Sequence, residues 1–228
     1  MSDRPRSAGD SDEIHNNLEI EISRKLGAAI LDGDFMPGTR LIELDIAARF
    51  SISQGTVRAA LKYLQREGLV EYRPRRGNFV TSFQESDRHE LSSLRSALEG
   101  LAIGCAAQNI DDSGRQALRK TLRSMQIAAR AGNHARLAEL DLEFFDIIVQ
   151  ASGHRRLTEV HDRLRKQCRM LLKLVDDSTI MSGDVEARYA PLTDAICRGD
   201  TEQALVLAGP SPIFPRGNPV AECAFTPA

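Results

Sequence analysis

Apolar residues at Ile14, Leu18, Ile22, Leu26 and Ile30 recur every fourth position, which lays one stripe along a helix. Turn chemistry at Asp32-Gly33-Asp34 and Met36-Pro37-Gly38 ends that helix near Leu31. A short helix is predicted over Glu43–Phe50, then a turn at Ser51-Ile52-Ser53 in which Ser53 is placed to cap a third helix. This third helix runs from Gln54 to Glu67 with Val57, Leu61 and Leu64 on its buried face, and Gly68 stops it. Leu69–Tyr72 and Asn78–Thr81 read as two short strands around the basic turn Arg73-Pro74-Arg75-Arg76-Gly77. Helix, helix, turn, helix and basic hairpin, in that order, predict a winged helix-turn-helix over residues 14–82, after a disordered lead-in at residues 1–13.

Beyond a polar joint at Ser82–Arg88 the period is helical throughout. Leu91, Leu94, Leu98, Leu101 and Cys105 make one stripe, and Leu118, Leu122 and Met125 a second. Leu137, Leu140, Phe144 and Ile148 form a third, and Leu157, Val160, Leu164, Cys168, Leu171 and Val175 a fourth. A shorter helix lies within Val185–Cys197. Breaks at Asp111-Asp112, Gly132-Asn133, Ser152-Gly153 and Ser182-Gly183 are short, so residues 83–208 are predicted to form an antiparallel all-helical bundle. The fold class is therefore mostly α. Residues 209–228, with Pro210, Pro212, Pro215, Pro219 and Pro227, admit no long helix and read as an irregular tail, where such a bundle would ordinarily close with one more helix.

Composition narrows the function classes. Hydrophobic residues make up 42% of the 228-residue chain and charged residues 27%, ordinary for a protein with a packed core. Aromatics reach only 5%, which disfavours a ring-lined surface for sugars or RNA bases. No apolar run is long enough to span a membrane, and the polar N-terminus does not resemble a secretory signal. Cys105, Cys168, Cys197 and Cys223 are widely spaced, which points to a reducing cytoplasmic setting rather than to disulfides or zinc fingers. The net charge of −2 hides a local bias. Between Ser53 and Arg76 stand Arg58, Lys62, Arg66, Arg73, Arg75 and Arg76 against Glu67 and Glu71 alone. A basic segment in an otherwise neutral to acidic chain fits a DNA-reading module joined to a domain that does not touch DNA.

Four blocks carry a resemblance. Ile30–Leu41, Ser51–Leu61, Leu64–Val70 and Arg76–Val80 resemble, in order and spacing, the signature of GntR-family transcription regulators. Leu91–Glu99, Asp141-Leu142-Glu143-Phe144-Phe145, Ala151–His154 and Asp194–Asp200 are similar to landmarks of the FadR-type helical effector domain. The resemblance spans roughly residues 18–208 and implies a homodimeric regulator, repressor or activator, that answers to a small metabolite and binds a short inverted-repeat operator in double-stranded DNA.

A recognition helix presents its N-terminal residues to base edges in the major groove. Here these are Ser53, Gln54, Gly55, Thr56 and Arg58. Arg58 can give guanine a bidentate contact, Gln54 can offer its amide to adenine, and Ser53 or Thr56 a hydroxyl to phosphate. Gly55 permits close backbone approach. The family usually has Arg where Gln54 stands and Glu where Ala59 stands, so the base preference should differ there. Arg75, Arg76 and Gly77 match the family's wing contact, and Arg40 is placed to meet phosphate at the start of the second helix. The bland alternative is a solvated helix and hairpin.

The resemblance also implies, for many members, a divalent metal held by one Asp and three His. Asp141 occupies the Asp position, while Phe145, Tyr189 and Ser211 stand where the imidazoles would be. Asp141 alone does not hold zinc or nickel usefully, so no metal and no other cofactor is expected. A cavity walled by Phe145 and Tyr189 would suit an organic acid or acyl-type effector, with Arg95 or Arg169 as carboxylate anchor; for Arg95 a buried ion pair with Glu99 one turn on is the favoured alternative. His154 and His161 read as surface or capping residues. The helical domain is either a sensor or an assembly module that senses nothing. No catalytic fingerprint is present, and the paired acids Asp176-Asp177 read as a solvated helix end, so an enzyme is not expected.

Overall fold

The computed structural model describes residues 8–174 and 185–209. They divide between Ser82 and Phe83 into two compact units. In the first, α1 (Ala8–Asp32), β1 (Arg40–Leu41), α2 (Glu43–Phe50), α3 (Gln54–Arg66), β2 (Val70–Arg73) and β3 (Gly77–Val80) follow in order. In the second come α4 (Glu85–Asn109), α5 (Asp112–Arg130), α6 (His134–Ala151), α7 (Arg155–Leu172), α8 (Val185–Arg198) and α9 (Thr201–Leu207). The chain is thus mostly α, a winged helix-turn-helix followed by an all-helical domain. The end of the fourth predicted stripe at Val175, Asp176-Asp177, the break at Ser182-Gly183, and Ser211 with the rest of the tail from Pro210 lie outside the described residues.

In the first unit, α1 begins at Ala8, inside the stretch expected to be a disordered lead-in. Ile22, Leu26 and Ile30 of α1 are buried with Val57, Leu61 and Leu64 of α3. Gly27 makes close packing possible here: a Cβ at this position would lie 3.2 Å from Leu64 Cδ2. The strands form one antiparallel sheet in the order β1-β3-β2, with Arg40 opposite Phe79 and Arg73 opposite Gly77. The two-residue strand β1 is an addition to the expected elements, since it exists only through its pairing with β3.

The second unit buries Leu118, Met125, Leu137, Leu140, Phe144, Ile148, Leu164 and Ile196 in one core. Its helices are closed locally. Asp111, Asn133, His154 and Asp200 each cap a following helix through a side-chain acceptor. Helix α9, capped by Asp200, is a second addition, although an Asp after Gly199 is a start signal. The stripe expected along α4 is only partly buried: Leu91 is inside, while Leu94 and Leu101 are each 50% exposed. The helix instead turns Arg95, Glu99, Ala102, Ile103 and Ala106 inward.

Candidate functional site

Two regions carry the polar chemistry, one in each unit. In the first, the helix-turn-helix is set by caps. The turn leaves α2 through Ser51, a non-glycine residue in the left-handed region at φ 55°. Ser53 then caps α3: its Oγ accepts from the Thr56 N–H at 3.1 Å. The Ser53 and Thr56 hydroxyls also share a hydrogen bond of 2.9 Å, and Thr56 is buried. Thr56 therefore holds the helix start rather than offering its hydroxyl to a phosphate, which corrects the expectation from sequence. Ser53, Gln54, Gly55 and Arg58 are exposed along the outer side of α3. A Cβ at Gly55 would meet only Ser53 Oγ, at 3.6 Å, so packing does not demand a glycine there.

Arg58 extends from α3 to Glu43 in the first turn of α2, its Nε donating to Glu43 Oε2 at 2.7 Å. With the arginine side chain 61% exposed, the pair orients the guanidinium without burying it. Glu43 is a positioning residue that the sequence did not mark, because its partner lies 15 positions away. At the far end of α3, Gln65 Nε2 donates to Asn78 Oδ1 at 2.7 Å and ties the helix to β3. The α3 terminus closes with Leu69 N–H on the Leu64 carbonyl and Gly68 N–H on that of Gln65, the Schellman pattern, with Gly68 at φ 73°.

The hairpin turn between β2 and β3 is closed by Arg76 N–H donating to the Arg73 carbonyl at 3.0 Å. Pro74 and Arg75 are its central residues, and Arg75 takes φ 62°, a conformation an arginine adopts only at a cost. Arg75 and Arg76 are both exposed. Gly77 follows at φ 95°, with the Arg40 guanidinium against it: a Cβ there would stand 3.9 Å from Arg40 Nε. Arg40 thus sits on β1 at the base of the wing and not at the start of a helix as expected. It remains exposed, so the wing presents Arg40, Arg75 and Arg76.

The second region is a buried polar layer in the helical domain. Arg95 of α4 binds Glu99 through its Nε and donates from Nη2 to Asp141 Oδ2 of α6 at 2.6 Å. Tyr189 of α8 donates its hydroxyl to the other oxygen, Asp141 Oδ1, also at 2.6 Å. Phe145 lies beneath the guanidinium, 5.2 Å from it, and packs edge-on with Phe144 and Tyr189. Arg95, Glu99, Asp141, Phe145 and Tyr189 are all at most 3% exposed. Burial pushes the Glu99 carboxyl well above the ordinary carboxylate range, against the pull of Arg95. Burial also pushes the Cys168 thiol up to about 12.

The structure therefore gathers Arg95, Asp141, Phe145 and Tyr189, four of the five residues expected to line an effector site. Arg169, the fifth, is partly exposed, with its Nε 3.4 Å from Glu139 Oε1. As an open carboxylate anchor Arg95 is corrected: its guanidinium is already shared between Glu99 and Asp141. His154 caps α7, with its Nδ1 accepting from the Leu157 N–H at 3.2 Å, as expected. His161 is neither surface nor cap. It is buried with Nδ1 3.7 Å from Asp146, and burial followed by the Arg95 field lowers its pKa to about 4.

Among the described residues, the donor set at Asp141 does not fit a divalent metal. Both carboxylate oxygens are engaged, Phe145 offers no lone pair, and the Tyr189 oxygen is committed as a donor to Asp141.

Helix-turn-helix, exposed reading helix and basic wing together define a DNA-binding transcription regulator. Comparison with known proteins makes this specific. Residues 18–80 match the family model described as bacterial regulatory proteins, gntR family, and residues 90–208 match the FCD domain. The chain belongs to the GntR family, in its FadR-like branch with an FCD domain. It is 30% identical over 175 residues to a probable D-xylose utilization operon transcriptional repressor of Paenarthrobacter nicotinovorans, covering 77% of this chain and 76% of that one. It is 31% identical over 130 residues to the transcriptional repressor RspR of Escherichia coli, covering 57% of each. Among solved structures, a GntR regulator from Rhodococcus sp. RHA1 is 27% identical with a TM-score of 0.65, covering 83% of this chain and 90% of that one. The family and these relatives are transcription regulators, not enzymes. No helix among the described residues is long and apolar enough to cross a membrane.

Proposed function

We propose that this regulator is a homodimeric repressor, binding a short inverted-repeat operator through α3 and the wing. We further propose that a small organic acid or acyl-type metabolite, taken up by the helical domain without a bound metal, releases it. The observation that carries the DNA-reading part is the free outer side of the α3 N-terminus, where Gln54, Gly55 and Arg58 stand exposed. In this reading Arg58 and Gln54 contact bases, Ser53 contacts phosphate, and Arg40, Arg75, Arg76 and Gly77 form the wing contact. The repressor assignment is supported by the names of the two relatives above.

The dimer is supported by the outer side of α4. Between Glu90 and Gln108 its exposed positions are Ser93, Leu94, Ala97 and Leu101, none of them charged. The two charges in that span, Arg95 and Glu99, point inward. Leu205 of α9, 49% exposed, extends the strip beside Gly104. An uncharged strip is self-complementary, as a two-fold interface requires. A second reading, in which the helical domain assembles the dimer and senses nothing, is favoured by the close packing around Asp141.

Selection of bound duplexes from a random library, followed by footprinting, tests the operator reading. The expected result is an enriched inverted repeat; failure to enrich any sequence would overturn it. A screen of organic acids by thermal shift then separates sensor from assembly module.

A further inference from the structure

We infer that the Arg95 guanidinium is the built-in cation of the helical domain, holding Asp141 in the place where a metal-binding relative would hold a divalent ion. This rests on the metal-free reading above and names the group that makes it possible. Asp141 is 1% exposed, so its charge needs a compensating cation within the core. One comes from α4 through Arg95 Nη2, and the second carboxylate oxygen is satisfied from α8 by the Tyr189 hydroxyl. The two contacts join α4, α6 and α8 at a single carboxylate, which is what a coordinated ion would do for three helices. Glu99 and the Phe145 ring fix the guanidinium from its other sides. The same positive charge reaches His161 and helps to hold that imidazole neutral.

A cation that is part of the chain is not removed by chelators and leaves no room for a competitor. Purified protein should contain well under one transition metal per chain by elemental analysis. Its melting temperature should be unmoved by EDTA, Ni2+ or Zn2+. Arg95→Met keeps the bulk and removes the charge, stranding Asp141, and should lower the melting temperature by roughly 10 °C. Adding Asp141→Asn to that variant should recover much of the loss, whereas a space-filling role for Arg95 predicts no recovery. Should Arg95→Met not fold, Arg95→Lys compared with Arg95→Lys/Asp141→Asn replaces it: with charge retained, Asp141→Asn should now destabilise. A stoichiometric metal that survives dialysis, or absence of rescue in the double variant, overturns the inference. Operator binding by the wild-type protein, measured alongside, reports separately on the regulator reading.

Discussion

Arg58→Ala is the substitution from which the structure makes its sharpest demand. In the free protein the side chain is 61% exposed and makes a single ion pair with Glu43, itself 29% exposed. An ion pair of that exposure contributes about 0.2–1 kcal/mol, so the variant should fold and melt within a few degrees of the wild type. On DNA the same guanidinium is placed to grip a guanine edge from the first turns of α3, a contact worth about 1–3 kcal/mol per half-site. With two half-sites in a dimer the loss is about 2–6 kcal/mol, which is roughly thirtyfold to more than ten-thousandfold in affinity. Fluorescence anisotropy at one fixed salt concentration, using the duplex selected by the wild-type protein and a scrambled duplex, reads both quantities. Specific binding should collapse toward the scrambled level, which itself should weaken only by the share of two lost charges, one per subunit. Wild-type affinity for the selected duplex would refute the placement of Arg58 at the bases. A parallel fall in melting temperature beyond about 5 °C would instead assign the arginine a structural role.

Glu43→Gln removes the carboxylate that orients Arg58 through its Nε, and should weaken operator binding about two- to fivefold while leaving the melting temperature within a few degrees; unchanged or tighter binding would show that Glu43 does not position the guanidinium. Leu101→Glu places a charge in the uncharged strip of α4 and should yield a folded monomer by sedimentation; a stable dimer would mean that another surface pairs the subunits. His161 is held neutral in the folded state, with its pKa near 4 against 6.5, so folding binds fewer protons there and stability is lost as pH falls from 6.5 towards 4. The stability of the wild type relative to His161→Gln should therefore drop by up to about 3 kcal/mol across that window in denaturant titrations; a constant difference between the two proteins would contradict the burial assigned to this ring. Asp146, raised to about 6 by burial, works in the opposite sense, and because it lies 3.7 Å from His161 an Asp146→Asn background is the one in which the His161 contribution is read alone.

How far the sequence could be read depended on whether the deciding signal was local. Helix α2 and the Ser53 cap follow from residues within a few positions of one another, and both stand where the pattern placed them. The same holds for the stop at Gly68. Strand β1 depends on β3, nearly 40 positions later, and no local preference announces it. Helix α4 departs from its pattern for a related reason. Its leucines form an i, i+3/i+4 stripe, which normally marks the buried face, while the spacing of Arg95 and Glu99 suggests a buried ion pair on the other side without showing what would neutralise it further. The choice of face is made by Asp141, 46 positions on, whose carboxylate makes burial of the arginine tolerable. A one-dimensional pattern cannot register a charge neutralised from another helix. The clustering of Arg95, Asp141, Phe145 and Tyr189 was legible only through the family resemblance, and the resemblance in turn did not reveal that the arginine fills the centre.

The bond between Gln65 and Asn78 has a consequence for how DNA would be measured. It fastens the rear of α3 to the wing strand, while Thr81 Oγ1 on the Gly68 carbonyl, at 2.9 Å, fastens the end of that strand to the turn behind α3. Helix and wing are then two jaws of one caliper with a preset gap. On the proposed reading one jaw enters the major groove and the other rests beside it, so the protein senses the width and twist between them as well as the bases. Operators of equal base content but different stiffness should be sorted by that gap, and loosening the caliper with Gln65→Ala should blur the sorting before it weakens the grip.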